Sequence, residues 1–146
     1  MKTVGDLVRA RKQAVRGVRN DALVADAARQ FLEHEISSVL VYDGDRVAGI
    51  FTKNDLIRRL VAKPDGILEQ PVAEGMTTDL FVTSPEADLR EVLDQMIKRS
   101  CRHVPVLEGG KAIGMLNPND ILFARLDTLD FEHEQLMHYV YGDFAA

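Results

Sequence analysis

The hydrophobic positions of the chain change period several times, and the changes fall into two matching rounds. Val24, Ala27, Ala28, Phe31, Leu32 and Ile36 have the three- and four-residue spacing of an amphipathic helix. After Ser37 and Ser38, Val39-Leu40-Val41-Tyr42 reads as a buried strand, Asp43-Gly44 as a tight hairpin turn, and Val47 to Phe51 as the return strand. A second helix starts at Thr52 and carries Leu56, Ile57, Leu60 and Val61. The second round begins with Leu89, Val92, Leu93, Met96 and Ile97 on one helical face, with Asp88 and Glu91 spaced as N-cap and capping partner. Val104 to Leu107 is the strand, Gly109-Gly110 the turn and Ala112 to Leu116 the return. Asn117 opens a helix through Ile121 and Leu122.

The two rounds align without a gap over Ser37–Leu60 and Arg102–Arg125. Six of those twenty-four positions are identical: Val39/Val104, Val41/Val106, Gly44/Gly109, Gly49/Gly114, Asn54/Asn119 and Asp55/Asp120. Turns and apolar positions match as well, so the pattern is an internal duplication. The expected layout is a lead-in over 1–17, a first repeat over 18–61, a joint over 62–80, a second repeat over 81–126 and a helical extension over 127–146. The lead-in has Val4, Leu7, Val8 and Arg11 at the spacing of a short helix. Its basic cluster Arg9, Arg11, Lys12, Arg16 and Arg19 is either a solvated face or a source of phosphate contacts. The joint contains Pro64, Gly66, Pro71 and Gly75, with Val72 and Met76 spaced to dock as a short helix. The extension carries Leu126, Leu129, Phe131, Leu136, Met137, Tyr139 and Val140 before a stop at Gly142. So many apolar residues call for a partner surface. A homodimer contact is the preferred reading, and packing on the chain's own body is the alternative.

Composition narrows the class. A chain of 146 residues with 46% hydrophobic content can build a core, but units of about sixty residues are marginal alone and are expected to share apolar surface. The net charge of -5 argues against a general nucleic-acid partner. The absence of an eighteen-residue apolar run or a signal-peptide apolar region argues against a membrane. A single cysteine, Cys101, fits a reducing compartment. The expectation is a soluble cytoplasmic protein.

Candidate chemistry concentrates where each return strand meets a helix: Gly49-Ile50-Phe51-Thr52-Lys53-Asn54-Asp55 and Gly114-Met115-Leu116-Asn117-Pro118-Asn119-Asp120. The first N–H groups of a helix lack intrahelical partners and sit at the positive end of its dipole, so they can hold a phosphate beside the Thr52 hydroxyl. Three residues on, an Asp carboxylate can accept from two ribose hydroxyls. The same spacing is a helix cap, and a cap and a ligand site can coexist. His34, His103, His133 and His138 have no metal-ligand spacing, and no P-loop, nucleophile elbow or paired carboxylates stand out, so neither a metal site nor enzymatic activity is expected.

The duplicated strand–helix–strand–strand–helix unit, ending in Gly-x-x-Thr-x-x-Asp, resembles the CBS domain, which occurs as tandem pairs. The likeness covers Val15–Val61 and Phe81–Leu126, and Pro71–Thr77 is similar to the family's lead-in to its second repeat. The resemblance implies an α/β (α+β) fold of two units, each a small sheet packed with two helices and related by a pseudo-two-fold axis. It also implies a regulatory module that binds an adenosyl ligand (AMP, ADP, ATP, NAD(H) or S-adenosylmethionine) in clefts between the repeats, forms flat homodimers and acts on an unidentified protein target. No cofactor is required. Carried onto this chain, the first site takes Ile50, Thr52, Asn54, Asp55 and Ser38, completed by Phe81, Cys101 and Arg102. The second takes Met115, Asn117, Asn119 and Asp120 with the basic pair Arg102 and His103, completed by Ala14, Val15, Arg16, Ile36 and Ser37. Asn117 departs from the family's Ser or Thr. Both sites are expected to take adenosyl ligands, the Asp120 site the more highly charged one. The alternative is a fold that has lost its ligand and docks through its dimer surface or tail.

Overall fold

The computed structural model describes residues 2–12 and 14–141. Helix α1 (Val4–Arg11) opens on a capping box, in which Thr3 and Asp6 satisfy each other's backbone N–H groups. Then follow β1 (Gly17–Arg19), α2 (Val24–Glu33), β2 (Ser38–Asp43), β3 (Arg46–Thr52) and α3 (Lys53–Ala62). Strand β1 lies parallel to β2, and β2 returns antiparallel into β3 through a turn at Gly44, whose φ of 62° suits glycine. The second unit has α4 (Leu89–Arg99), β4 (Val104–Glu108), β5 (Lys111–Leu116) and α5 (Pro118–Tyr141). Its equivalent of β1 shrinks to one parallel bridge between Thr83 and Val106. Each hairpin carries a register shift at the same point, Val41/Tyr42 in one and Val106/Leu107 in the other. The duplication therefore extends to an irregularity in the ladder.

Each unit's core is completed by a segment that precedes the other. Val18, Val24, Ala27, Phe31, Val39, Val41 and Phe51 enclose Val72 from the joint, which forms a short 3-10 turn over Val72–Glu74. Leu89, Val92, Met96, Val104, Val106, Leu116, Ile121 and Ala124 enclose Val4 and Leu7 from α1. The backbone repeats the exchange. Val4 N–H donates to Ala87 at 2.9 Å and Leu89 N–H to Lys2 at 3.0 Å, while Val72 N–H donates to Ala22 at 2.9 Å and Val24 N–H to Gln70 at 2.8 Å. Units of this size bury too little surface alone, and the crossed lead-ins supply what each lacks. The predicted lead-in helix thus exists, and its seat is the second repeat.

Helix α5 runs on past the second unit, as its apolar spacing predicts. The predicted stop at Gly142 lies outside the described residues, as do the side chains of Phe131 and Tyr139. Among the described residues no helix is long and apolar enough to cross a membrane.

Candidate functional site

The two junctions place a carboxylate under the first turn of a helix. Thr52 caps α3: its hydroxyl accepts from Asp55 N–H at 3.1 Å, and Asp55 Oδ2 accepts from Thr52 N–H at 2.9 Å. Asn117 does the same for α5, its Oδ1 accepting from Asp120 N–H at 3.0 Å while Asp120 Oδ2 accepts from Asn117 N–H at 2.9 Å. Asn is among the best capping residues, so the departure from Thr leaves the cap intact. Capping turns each carboxylate inward, and both aspartates are buried.

The second oxygen of each carboxylate meets a cation, by different routes. Asp55 Oδ1 accepts from Arg58, one helical turn on, and from the Thr77 hydroxyl at 3.0 Å. The position equivalent to Arg58 is Phe123, and Asp120 is paired instead with Arg11 of α1 at 2.6 Å.

Clefts open above both aspartates. The Asp120 cleft, about 300 Å³, is walled by Arg11, Ala14, Val15, Arg16, Glu35, Ile36, Ser37, Ser38, His103, Met115, Asn117 and Asp120. The Asp55 cleft, about 210 Å³, is walled by Ile50, Thr52, Asn54, Arg58, Thr77, Asp79, Leu80, Phe81, Ser100, Cys101, Arg102 and His103. The duplication pairs these walls: Ala14-Val15-Arg16 stands where Asp79-Leu80-Phe81 stands in the other cleft, and Ile36-Ser37-Ser38 where Cys101-Arg102-His103 does. Each cleft is thus built from one repeat's junction and the other repeat's strand entry. Between them lies an opening of about 460 Å³ lined by Ser37, Thr52, Lys53, Asn54, Arg102, His103, Asn117, Pro118 and Asn119. Ser37 Oγ and His103 Nε2 are hydrogen-bonded across the repeats at 2.9 Å. Burial, and then the neighbouring Arg102 charge, hold the His103 imidazole below its ordinary 6.5, with Asp55 pulling weakly the other way.

The CBS-domain family model matches residues 4–62 and 72–127. The chain belongs to the CBS-domain family. It is a tandem CBS pair, and its mixed α/β fold of duplicated units is that of solved CBS pairs. A CBS-domain-containing protein from Agrobacterium tumefaciens is 30% identical, with 85% of this chain and 93% of that one covered at a TM-score of 0.79. The CBS pair of the protein MJ0100, solved with 5′-methylthioadenosine and S-adenosyl-L-methionine, is 21% identical over 88% of this chain and 97% of its own at a TM-score of 0.72. CBSX2, solved in complex with AMP, is 21% identical over 88% of this chain and 99% of its own at a TM-score of 0.75.

In this CBS pair, Ile50, Thr52, Asn54, Phe81, Cys101 and Arg102 line the Asp55 cleft together, whereas Asp55 itself is buried beneath the junction, behind Arg58 and Thr77, and is not among the cleft's walls. Ser38, expected there, lines the Asp120 cleft instead, because each strand entry faces the opposite repeat's junction. Met115, Asn117, Asp120, His103, Ala14, Val15, Arg16, Ile36 and Ser37 come together in the Asp120 cleft. Asn119 and Arg102 do not line that cleft. Asn119 faces the central opening, and Arg102 spans that opening and the Asp55 cleft, the crossing that moved Ser38. Spacing and resemblance leave Arg58 and Arg11 unassigned as partners of the aspartates. Arg58 was legible from its three-residue helical spacing to Asp55. Arg11 was not, since its role depends on α1 crossing to the second repeat.

Proposed function

We propose that this CBS pair is a non-catalytic regulatory module that binds adenosyl ligands (AMP, ADP, ATP or NAD(H)) in both clefts, and that occupancy biases a conformation read by a protein target. The observation that carries this reading is the matched pair of clefts, each with a buried aspartate beneath a helix N-terminus. The carboxylates are suited to ribose hydroxyls and the helix starts to phosphate. In the Asp55 cleft, Ile50, Leu80 and Phe81 offer apolar surface to an adenine; the Arg99 guanidinium lies 4.8 Å from the Phe81 ring centre and braces it. In the Asp120 cleft, Arg16 stands where Phe81 stands in the other, so this cleft offers Arg11 and Arg16 to phosphate and the Asp55 cleft Arg58 and Arg102. With Arg102 on the other side, the Asp120 cleft holds no excess of cations that would favour a more highly charged ligand.

Arg11 and Arg58 act as latches in this scheme. Ribose hydroxyls displace each guanidinium from its carboxylate, and the freed arginine turns to phosphate. A second reading, a CBS-fold interaction module without ligand, draws support from the fact that both carboxylates are already satisfied internally.

Thermal-shift measurements with AMP, ADP, ATP, NADH and S-adenosylmethionine separate the two. At 100 times its dissociation constant a ligand stabilises by about 2.7 kcal/mol, or about 7 °C for a chain of this size. No shift at millimolar concentration of any of them decides for the second reading. Calorimetric titration of Asp55→Asn and Asp120→Asn should each lower the stoichiometry from two to one. Asn is the appropriate replacement because it keeps an acceptor for the Thr52 or Asn117 N–H, whereas Ala would remove the carboxylate's half of the capping interaction and cost stability as well.

A further inference from the structure

The opening between the clefts, about 460 Å³, exceeds either of them in volume and has no part in the binding scheme above. It is continuous with both. It shares Thr52, Asn54, Arg102 and His103 with the Asp55 cleft, and Ser37, His103 and Asn117 with the Asp120 cleft. Among the described residues no carboxylate lines it, and its two fixed cations are the exposed Lys53 and Arg102. Among the described residues neither of these is paired with a carboxylate, whereas Arg58 and Arg11 are committed to Asp55 and Asp120.

The duplication makes this space lopsided. Lys53 holds the first position of α3, and its counterpart at the start of α5 is Pro118. Arg102 stands where Ser37 stands in the first repeat. Lys53 directly follows Thr52 at the Asp55 junction and Arg102 lines the Asp55 cleft, so both cations lie on that side. The Asp120 side supplies Ser37, Asn117, Pro118 and Asn119, all uncharged. Its own cations, Arg11 and Arg16, line the Asp120 cleft and not the opening. Each cleft also has one exposed carboxylate, Glu35 in one and Asp79 in the other, and His103 faces all three spaces, so neither feature separates the two sides.

Each cleft has arginines enough for one phosphate. A longer phosphate tail carries further charge out of the cleft, and the unpaired cations that border both lie on the Asp55 side. We propose that the opening seats the β- and γ-phosphates of a nucleotide whose adenosyl group lies in the Asp55 cleft. That cleft is then the triphosphate site, and the Asp120 cleft takes short-tailed adenosyl ligands. Lys53 and Arg102 set the preference through charge-assisted hydrogen bonds to phosphate oxygens, which no carboxylate in the opening opposes. The assignment rests on the nucleotide reading above. It reverses the order expected from the basic pair's place in the second repeat, because the strand entry bearing Arg102 faces the first repeat's junction.

The test titrates the full chain with AMP and with ATP by calorimetry. One site should bind ATP at least ~10-fold more tightly than AMP, and the gap should narrow as salt is raised. Lys53 lines the opening and neither cleft, so Lys53→Gln should weaken that ATP site about 5-fold and leave AMP within ~2-fold of wild type. Adding Arg102→Ser should bring the loss to at least ~20-fold. Asp55→Asn should abolish the tighter ATP site, and Asp120→Asn should keep it. An ATP affinity unchanged by Lys53→Gln, or loss of the tighter site in Asp120→Asn instead, overturns this assignment while the nucleotide reading stands. Failure of the wild-type chain to bind either nucleotide overturns both.

Discussion

His103 faces both clefts and the opening between them, and its environment sets its titration. The imidazole is half-buried beside Arg102 and bonded to Ser37 Oγ, so its protonated form is disfavoured in the folded chain relative to the ordinary 6.5. Between the lowered folded value and 6.5 the unfolded chain binds more protons, so stability rises with pH across that window. The contribution is therefore fully present above about 6.5 and is lost as pH falls through the folded value. His103→Gln keeps a hydrogen-bonding group for Ser37 and removes the titration. Urea midpoints compared at pH 7.5 and 5.5 should drop less for His103→Gln than for wild type; equal drops would show that His103 is not the group responsible. The resemblance places His103 in a basic pair with Arg102. The fold disfavours its protonated form, a consequence of burial that residue spacing does not encode.

At the scale of elements, the strand–helix junction was the most legible feature of the chain, and the packing against it the least. The Thr52/Asp55 and Asn117/Asp120 caps follow from local spacing, and so do the hairpins, because their interactions lie within a few residues. What lies across each strand depends on which lead-in arrives there. The joint closes over β3, with Ile50 and Thr77 exchanging backbone hydrogen bonds of 2.9 and 2.8 Å. Gly49 allows this approach: a Cβ there would stand 2.8 Å from both the Thr77 carbonyl oxygen and Met76 Sδ. At the equivalent Gly114 the obstacle is a Val8 methyl of α1, at 2.9 Å. Gly49→Ala must therefore push back a paired backbone segment and with it the Thr77 hydroxyl on Asp55, whereas Gly114→Ala need only shift a side chain at the surface of α1. Chemical denaturation should show Gly49→Ala costing about 3 kcal/mol and Gly114→Ala about 1 kcal/mol. The reverse order would mean that α1 is held more rigidly than the joint.

For the whole molecule, the crossed lead-ins matter more than either repeat. Val4 and Val72 occupy matching places, each fully buried in the core of the unit that its own repeat does not form. Removing either contact damages one core directly and withdraws the connection between the two. Arg11, on the same helix as Val4, also holds Asp120, so the N-terminal helix links the second core to the candidate cleft. A molecule built this way should unfold as one cooperative unit despite its two hydrophobic cores, and a ligand in either cleft should stabilise all of it. Val4→Ala tests this. The lost methyl groups and the cavity cost about 2 kcal/mol, which for this length lowers the melting temperature by roughly 5 °C. Calorimetry should show a single transition moved down as a whole, with hydrogen exchange speeding up in β2 and β3 as much as in β4 and β5. Two separated transitions, with the first unit's exchange unchanged, would show that the repeats fold independently and that the crossing couples nothing.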